Sequence, residues 1–221
     1  MKVNFLRAAG LALALGAAAG AAAGQGQAQA GAALDQRVRA FLEDHAGQWR
    51  DMNVSEADGR ILYDVVVKNG YTRTLEIGTS TGHSGIWIAW ALSKTGGRVV
   101  TIDIDEGRHR EAVAHFREAG LDRWVDARLA DAHELVPALA GPFDFVFCDA
   151  DKDWYKNYFV AVLPKLTVGG CFAAHNVSAR RRRGWGSGDF IDHVLSLPFM
   201  ETTFAEESWA GLSLSYKRSE K

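Results

Sequence analysis

From Thr72 to Asn176 short apolar runs alternate with helical stretches, and few folds accommodate that order. The runs are "TRTLEIG", "GRVVTIDID", "VDARLA", "FDFVFCDA" and "GGCFAAH", each the length of a strand. Between them Ser84 to Ser93, Gly107 to Ala119, His133 to Leu139 and Trp154 to Leu163 have helical character. Strands joined through helices pair in parallel, so the expectation is a doubly wound α/β sheet with helices on both faces. The tail breaks the pattern. After a helix near Phe190 to Leu197, "METTFAEES" and "GLSLSYKR" read as strands separated by "WAG" alone. That gap is too short for a crossover, so the pair should be antiparallel. The expected fold is a mostly parallel seven-stranded sheet closed by a C-terminal antiparallel hairpin.

Two helical patterns precede the sheet. "LDQRVRAFLEDHAGQWRDM" places Leu34, Val38, Phe41 and Leu42 on one face. Ser55 can cap "EADGRILYDVVVKNG", which stops at Asn69-Gly70. The first residues are of another kind. "MKVNFLR" carries positive charge, an Ala- and Gly-rich apolar run comes next, and "AQA" at Ala28 to Ala30 offers a small-residue cleavage site. That order predicts a secretory signal peptide over residues 1–30, with export to the periplasm or beyond. So much Ala and Gly makes a weak membrane anchor, hence no stable insertion after cleavage; residence on the cytoplasmic face is the alternative. Residues 31–221 then form a single domain with N-terminal helices over 31–70.

Composition narrows the partners. A net charge of -2 over 221 residues gives no general pull toward nucleic acid or anionic membranes. A small molecule is the better expectation. The only cysteines, Cys148 and Cys171, sit inside apolar runs and read as core thiols.

In open α/β sheets ligands bind beyond the carboxyl ends of the strands, so the residues just after each run are the informative ones. After the first comes "LEIGTSTGHSG", where Gly78 and Gly82 permit tight bends and Ser84 opens a helix. Ser80 stands where a dinucleotide fingerprint needs its second glycine, which argues against a nicotinamide cofactor. Glu76 can accept from an ammonium group, whereas a pyrophosphate would be repelled. After the second run Asp103 is placed to accept from ribose hydroxyls, being nearer the strand body than the competing Asp105. Asp131 and Ala132, after the third, can flank a flat base. A glycine turn, a ribose-binding acid and no phosphate cradle suggest an adenosine-type cofactor carrying an amino acid, which S-adenosylmethionine is. The fourth run ends in Asp149, Ala150, Asp151 and Lys152, two carboxylates and an amine at the rim of a hydrophobic strand. Asp151 reads as the cap of the next helix.

From about Val54 to Asn176 the chain resembles the bacterial and plant O-methyltransferases related to catechol and caffeoyl-CoA methyltransferases. The stretches that carry the resemblance are "VSEADGRIL", "LEIGTSTGHS", "TIDID", "FVFCDADKDWYKNY" and "LTVGGCFAAHN". It implies a Rossmann-like methyltransferase fold in which Val54, Glu76, Gly78, Thr79, Ser84, Asp103 and Ala132 line the cofactor. Asp149 would bind a divalent metal, and Lys152 would be the base at the hydroxyl of a small, aromatic acceptor. The family places an Asp-Asn pair at the end of the fifth strand, but this chain has His175-Asn176. With Asp149, His175 and Asn176 as ligands, imidazole suits a transition ion better than magnesium. Either the site takes a softer ion than magnesium, or metal dependence has been lost. A homodimer is a further expectation. The competing reading is a non-catalytic S-adenosylmethionine-binding protein whose metal site has decayed.

The other conspicuous residues read as structural. Trp87 and Trp90 suggest packing; Trp154 and Tyr155 fit an acceptor wall or a sheet cover equally well. Arg180 to Arg183, with Trp185, read as a solvated basic loop, the alternative being contact with an anionic acceptor. His83, His109, His115 and His133 read as surface or capping residues.

Overall fold

The structure is a computed structural model that describes residues 26, 28–49, 52–179 and 187–220. Most of the proposed signal peptide and the Arg180–Arg183 loop with Trp185 therefore lie outside the described residues. Two compact units are present, one up to Asp44 and one from His45 onward. The first contains a helix over residues 28–44 (α1).

The second unit opens with helix α2 (Glu56–Asn69). Ser55 caps it, accepting from the Asp58 N–H at 3.1 Å, and Gly70 ends it in the left-handed conformation. Next come β1 (Arg73–Ile77), α3 (His83–Thr95), β2 (Arg98–Asp103), α4 (Glu106–Glu118) and β3 (Val125–Leu129). The chain continues through α5 (Ala132–Ala138), β4 (Phe143–Cys148), α6 (Tyr155–Val162) and β5 (Leu166–His175). Helix α7 (Gly188–Leu195) leads into β6 (Met200–Phe204) and β7 (Leu212–Lys217).

The sheet has the order β3-β2-β1-β4-β5-β7-β6, so chain order reverses between β1 and β4. β1 to β5 are parallel, while β7 runs antiparallel to both β5 and β6. The doubly wound sheet and its antiparallel end are as the sequence predicts. The connection is longer than "WAG", because β6 ends at Phe204. The chain beyond it turns at Ser208, whose Oγ accepts from the Gly211 N–H at 3.1 Å.

β4 and β5 lie in the centre, and their Phe145, Val146, Phe147 and Phe172 are fully buried. Such strands have no polar face because helices cover both sides. Phe159 of α6 and Phe190 of α7 pack edge to face, with ring centroids 5.6 Å apart, and close one side of this core. Cys148 and Cys171 are free and buried, as expected of core thiols.

α2 packs on α3 at a point that only glycine permits. A methyl group on Gly59 would lie 2.2 Å from Cδ1 of Trp87, whose indole is buried. Alanine is the better helix former, yet here overpacking outweighs propensity. Gly59→Ala is therefore expected to lower stability by about 1–3 kcal/mol in urea denaturation. A midpoint equal to or above wild type would contradict that packing.

Candidate active site

The carboxyl ends of β1, β2 and β4 meet at the reversal of strand order, and the site is built from the last residues of these strands and the turns beyond them. Glu76 of β1 is fully buried. Thr101 on β2 donates to its Oε2 at 2.5 Å, and Thr79 shares a hydrogen bond with Thr101 behind it. The other oxygen, Oε1, is buried with no hydrogen-bond partner among the described residues. Burial pushes the Glu76 carboxyl up to about 7, against the opposing hydrogen bonds from Ser84 and Thr101. A buried acceptor left open costs stability, so such an atom calls for an explanation. A cationic N–H donor supplied by a ligand is a chemically apt one.

Gly78 comes next in the left-handed region, at φ 97°. A Cβ there would meet the Asp149 carbonyl oxygen at 2.7 Å, so this glycine lets β1 and β4 close on one another. Gly82, at φ 99°, caps α3 and faces Ala112 and Phe116 of α4. Its freedom serves helix packing, which sequence alone did not separate from contact with a ligand. Asp103 is braced from two sides: the N–H of Ser80 donates to Oδ2 at 2.7 Å and that of Asp105 to Oδ1 at 2.9 Å. Each oxygen keeps a lone pair for a further donor. Asp105 instead caps α4, accepting from the Arg108 N–H at 2.8 Å. That capping bond gives Asp105 a structural role of its own.

Val54 is buried, and its carbonyl accepts from His83 Nδ1 at 2.9 Å. His83 is neither a surface nor a simple capping residue: its Nε2 accepts from the Trp87 indole N–H at 3.1 Å, and its ring stacks on Trp49. Burial lowers its pKa, so it is the neutral Nδ1–H tautomer. Asp131 caps α5, accepting from the His133 N–H at 2.8 Å, and Ala132 begins that helix. Asp151 caps the short turn that carries Lys152, as its position suggested.

Lys152 Nζ donates to Asp149 Oδ1 and, at 2.8 Å, to Tyr155 Oη. Tyr155 is fully buried and donates in turn to the His175 carbonyl at 3.2 Å. The His175 ring has a carboxylate at each nitrogen. Nδ1 lies 3.0 Å from Asp149 Oδ2, in ion-pair contact though off the line of a hydrogen bond. Nε2 lies 3.3 Å from Oδ2 of Asp58, a buried acid on α2. Burial alone would lower the His175 pKa, but Asp149 and Asp58 raise it to about 9. For Asp58, burial pushes upward, yet hydrogen bonds from His175, Ser208 and Ser55 hold the carboxyl below its usual range.

This arrangement bears on the expected metal triad of Asp149, His175 and Asn176. A ring nitrogen that donates to a carboxylate offers no lone pair to an ion, which applies to Nε2 opposite Asp58, whereas Nδ1 makes no hydrogen bond among the described residues. Asp149 and Asp58 point at opposite nitrogens of one ring, and among the described residues no three His, Cys, Asp or Glu side chains form a metal-binding group. Asn176 leaves β5 in the left-handed conformation, at φ 58°. Asp58 is the participant that sequence reasoning missed, and Tyr155 the one it left open between an acceptor wall and a sheet cover. Asp58 lay within the "SEADG" stretch but carried no sign of its distant partner. Trp154 is exposed and lies against His133 with the two rings tilted, whereas Tyr155 joins the Lys152 cluster.

Comparison with known proteins gives a consistent picture. A family model described as O-methyltransferase matches residues 28–180. The chain is 36% identical over 130 residues, 57% of its length, to a catechol O-methyltransferase of Niastella koreensis. It is 32% identical over 134 residues, 58% of its length, to caffeoyl-CoA O-methyltransferase 1 of Zea mays. Those matches span 58% and 52% of the relatives' own lengths. Among solved structures, an O-methyltransferase from Bacillus cereus in complex with SAH superposes with a TM-score of 0.70 at 26% identity, covering 82% of this chain and 90% of that one. One from Streptomyces achromogenes, in complex with SAM, gives 0.71 at 25% identity, covering 83% and 90%.

The His175 cluster has a pH signature. Its folded-state pKa of about 9 exceeds the ordinary 6.5, so its stabilisation is complete below 6.5 and lost as pH rises through 9. Thermal melts are expected to show stability falling over that window, with the fall flattened in His175→Gln. An equal slope in both proteins would contradict the pairing.

Proposed function

Because the chain belongs to the O-methyltransferase family, we propose that it transfers the methyl group of S-adenosylmethionine to a hydroxyl of a small aromatic acceptor. The observation that carries this is the buried Glu76 carboxylate with an open oxygen, beside the Lys152–Asp149 pair across the Gly78 contact. S-adenosylmethionine suits these residues: Glu76 Oε1 receives its ammonium group, and Asp103 receives its ribose hydroxyls. Asp131 and Ala132 lie where the base would rest, and Val54, Thr79, Gly82 and Ser84 shape the same rim. Bound there, the cofactor supplies an electrophilic methyl group on a positively charged sulfur.

Lys152 is the member of its cluster that meets the acceptor. Its side chain is 21% exposed, against 10% for Asp149, 8% for His175 and 1% for Asp58. In its amine form Lys152 removes the hydroxyl proton, and Asp149 then stabilises the ammonium so formed. Tyr155 Oη, accepting from Nζ, fixes the direction in which the amine points. The acceptor oxygen is left with a free electron pair for in-line attack, where positioning supplies most of the acceleration. A methyl-transfer assay over phenols and catechols, with products identified by mass, tests this reading. No methylated product from any of them, despite cofactor binding, would favour the non-catalytic alternative.

Asp103→Ala is expected to weaken S-adenosylhomocysteine binding by about 1.5–3 kcal/mol in calorimetry, the scale of hydrogen bonds to a charged group. Loss through Asp105→Ala instead would reverse the assignment. Lys152→Ala is expected to reduce turnover ~10²–10⁴-fold with the cofactor still bound. Activity near wild type would return Lys152 to a structural role. From the N-terminal charge, apolar run and "AQA" site we also propose export with cleavage near Ala30. Intact mass of the protein from its native host should match a chain beginning near Gly31, and full-length protein in the cytoplasm would refute it.

A further inference from the structure

We propose that a side chain has taken the place of a divalent cation here: the His175 ring, held between Asp58 and Asp149, fills the position toward which both carboxylates point. The ring fixes Asp149 for Lys152, and the chain works without a metal. His175 is thus a positioning residue, acting on Lys152 through Asp149.

Three observations carry this. First, the Asp149 carboxylate is already occupied. Asp149 gives one oxygen to the Lys152 ammonium and faces His175 Nδ1 with the other, at 3.0 Å. An ion could use that carboxylate only by displacing a cationic group. Second, the two nitrogens of an imidazole point away from one another, and here each faces a carboxylate oxygen, at 3.0 and 3.3 Å. The ring therefore separates the two acids that an ion would have to bring together. Third, the remaining contacts close the cluster. Ser55 donates to Asp58 Oδ2 at 2.7 Å, and Tyr155 bridges Lys152 Nζ to the His175 carbonyl. Two atoms of the cluster, Asp58 Oδ1 and His175 Nδ1, have no hydrogen-bond partner among the described residues. One oxygen and one imidazole nitrogen make a poor set for a hard divalent ion, which prefers oxygen ligands.

The inference rests on the methyl-transfer reading only for activity; metal binding tests it independently. Chelator-stripped wild type and His175→Asp are titrated with Mn²⁺ while electron paramagnetic resonance reads the free ion. Wild type is expected to leave Mn²⁺ free into the millimolar range, and His175→Asp to bind it ~10-fold more tightly or better, the usual reach of one changed group at a metal site. Wild-type turnover on the phenol panel should be unchanged by chelator or added Mn²⁺. Stoichiometric micromolar binding by wild type, lost in Asp149→Asn, overturns the inference whether or not the protein turns over. So does a folded His175→Asp that gains no affinity. If that variant fails to fold, the wild-type titration still decides. A wild type that neither binds Mn²⁺ nor methylates any acceptor supports the inference and counts against the methyl-transfer reading instead.

Discussion

The close approach of two strand ends governs the rim of this sheet. At the reversal of strand order Gly78 sits so near the Asp149 carbonyl that a Cβ would come within 2.7 Å of it. The Asp149 N–H in turn donates to the Ile77 carbonyl at 2.9 Å. Reversal of order opens a crevice above the strands, while the glycine holds its two walls at close range. One wall carries Glu76 and Asp103, which suit a cofactor with an amino-acid end and a ribose. The other carries Asp149 and Lys152, which suit a proton on an acceptor. The proposed methyl transfer needs those two functions within one bond's reach, and the glycine contact would supply the adjacency.

The buried acids on the two sides are treated in opposite ways. Asp149 is surrounded by positive partners, Lys152 on one side and His175 on the other. Its charge is balanced within the protein. Glu76 has only hydroxyl neighbours, and burial pushes its pKa up to about 7. Its charge is incompletely compensated by the described residues. That contrast fits the proposed division between an acid that organises a site and one that recognises a ligand, since unpaired charge in a low dielectric is the costlier state. Asp58 belongs to the first kind, held ionised by His175 and two serines.

Much of this was legible from sequence because it is local. Alternating apolar runs and helical stretches specify a parallel sheet, and the residues at the carboxyl end of each run include Glu76, Asp103, Asp149 and Lys152. Ser55 and Asp151 announce themselves as caps by residue type and position. What escaped depends on contacts between distant residues. His175 stood out as a departure from the family's acid, yet its partner Asp58 lies 117 positions away. Nothing in either neighbourhood indicates that an imidazole would lodge between two carboxylates. Tyr155 was ambiguous for the same reason, because its hydroxyl has meaning only once β4 and β5 are adjacent. Gly78 and Gly82 look alike in sequence, but one faces a strand backbone and the other a helix.

The central claim is that Glu76 receives the cofactor's ammonium group, and calorimetry with S-adenosylhomocysteine at pH 6 and pH 8 addresses it most directly. With a free-site pKa of about 7, Glu76 is mostly protonated at the lower pH and mostly ionised at the higher. Binding an ammonium group favours the ionised form, so wild-type affinity should rise roughly tenfold between the two, with proton release at the lower pH. Glu76→Gln should bind more weakly and lose most of that dependence. Wild-type binding that is absent, or that is as strong at pH 6 as at pH 8 and unchanged in Glu76→Gln, would contradict the account.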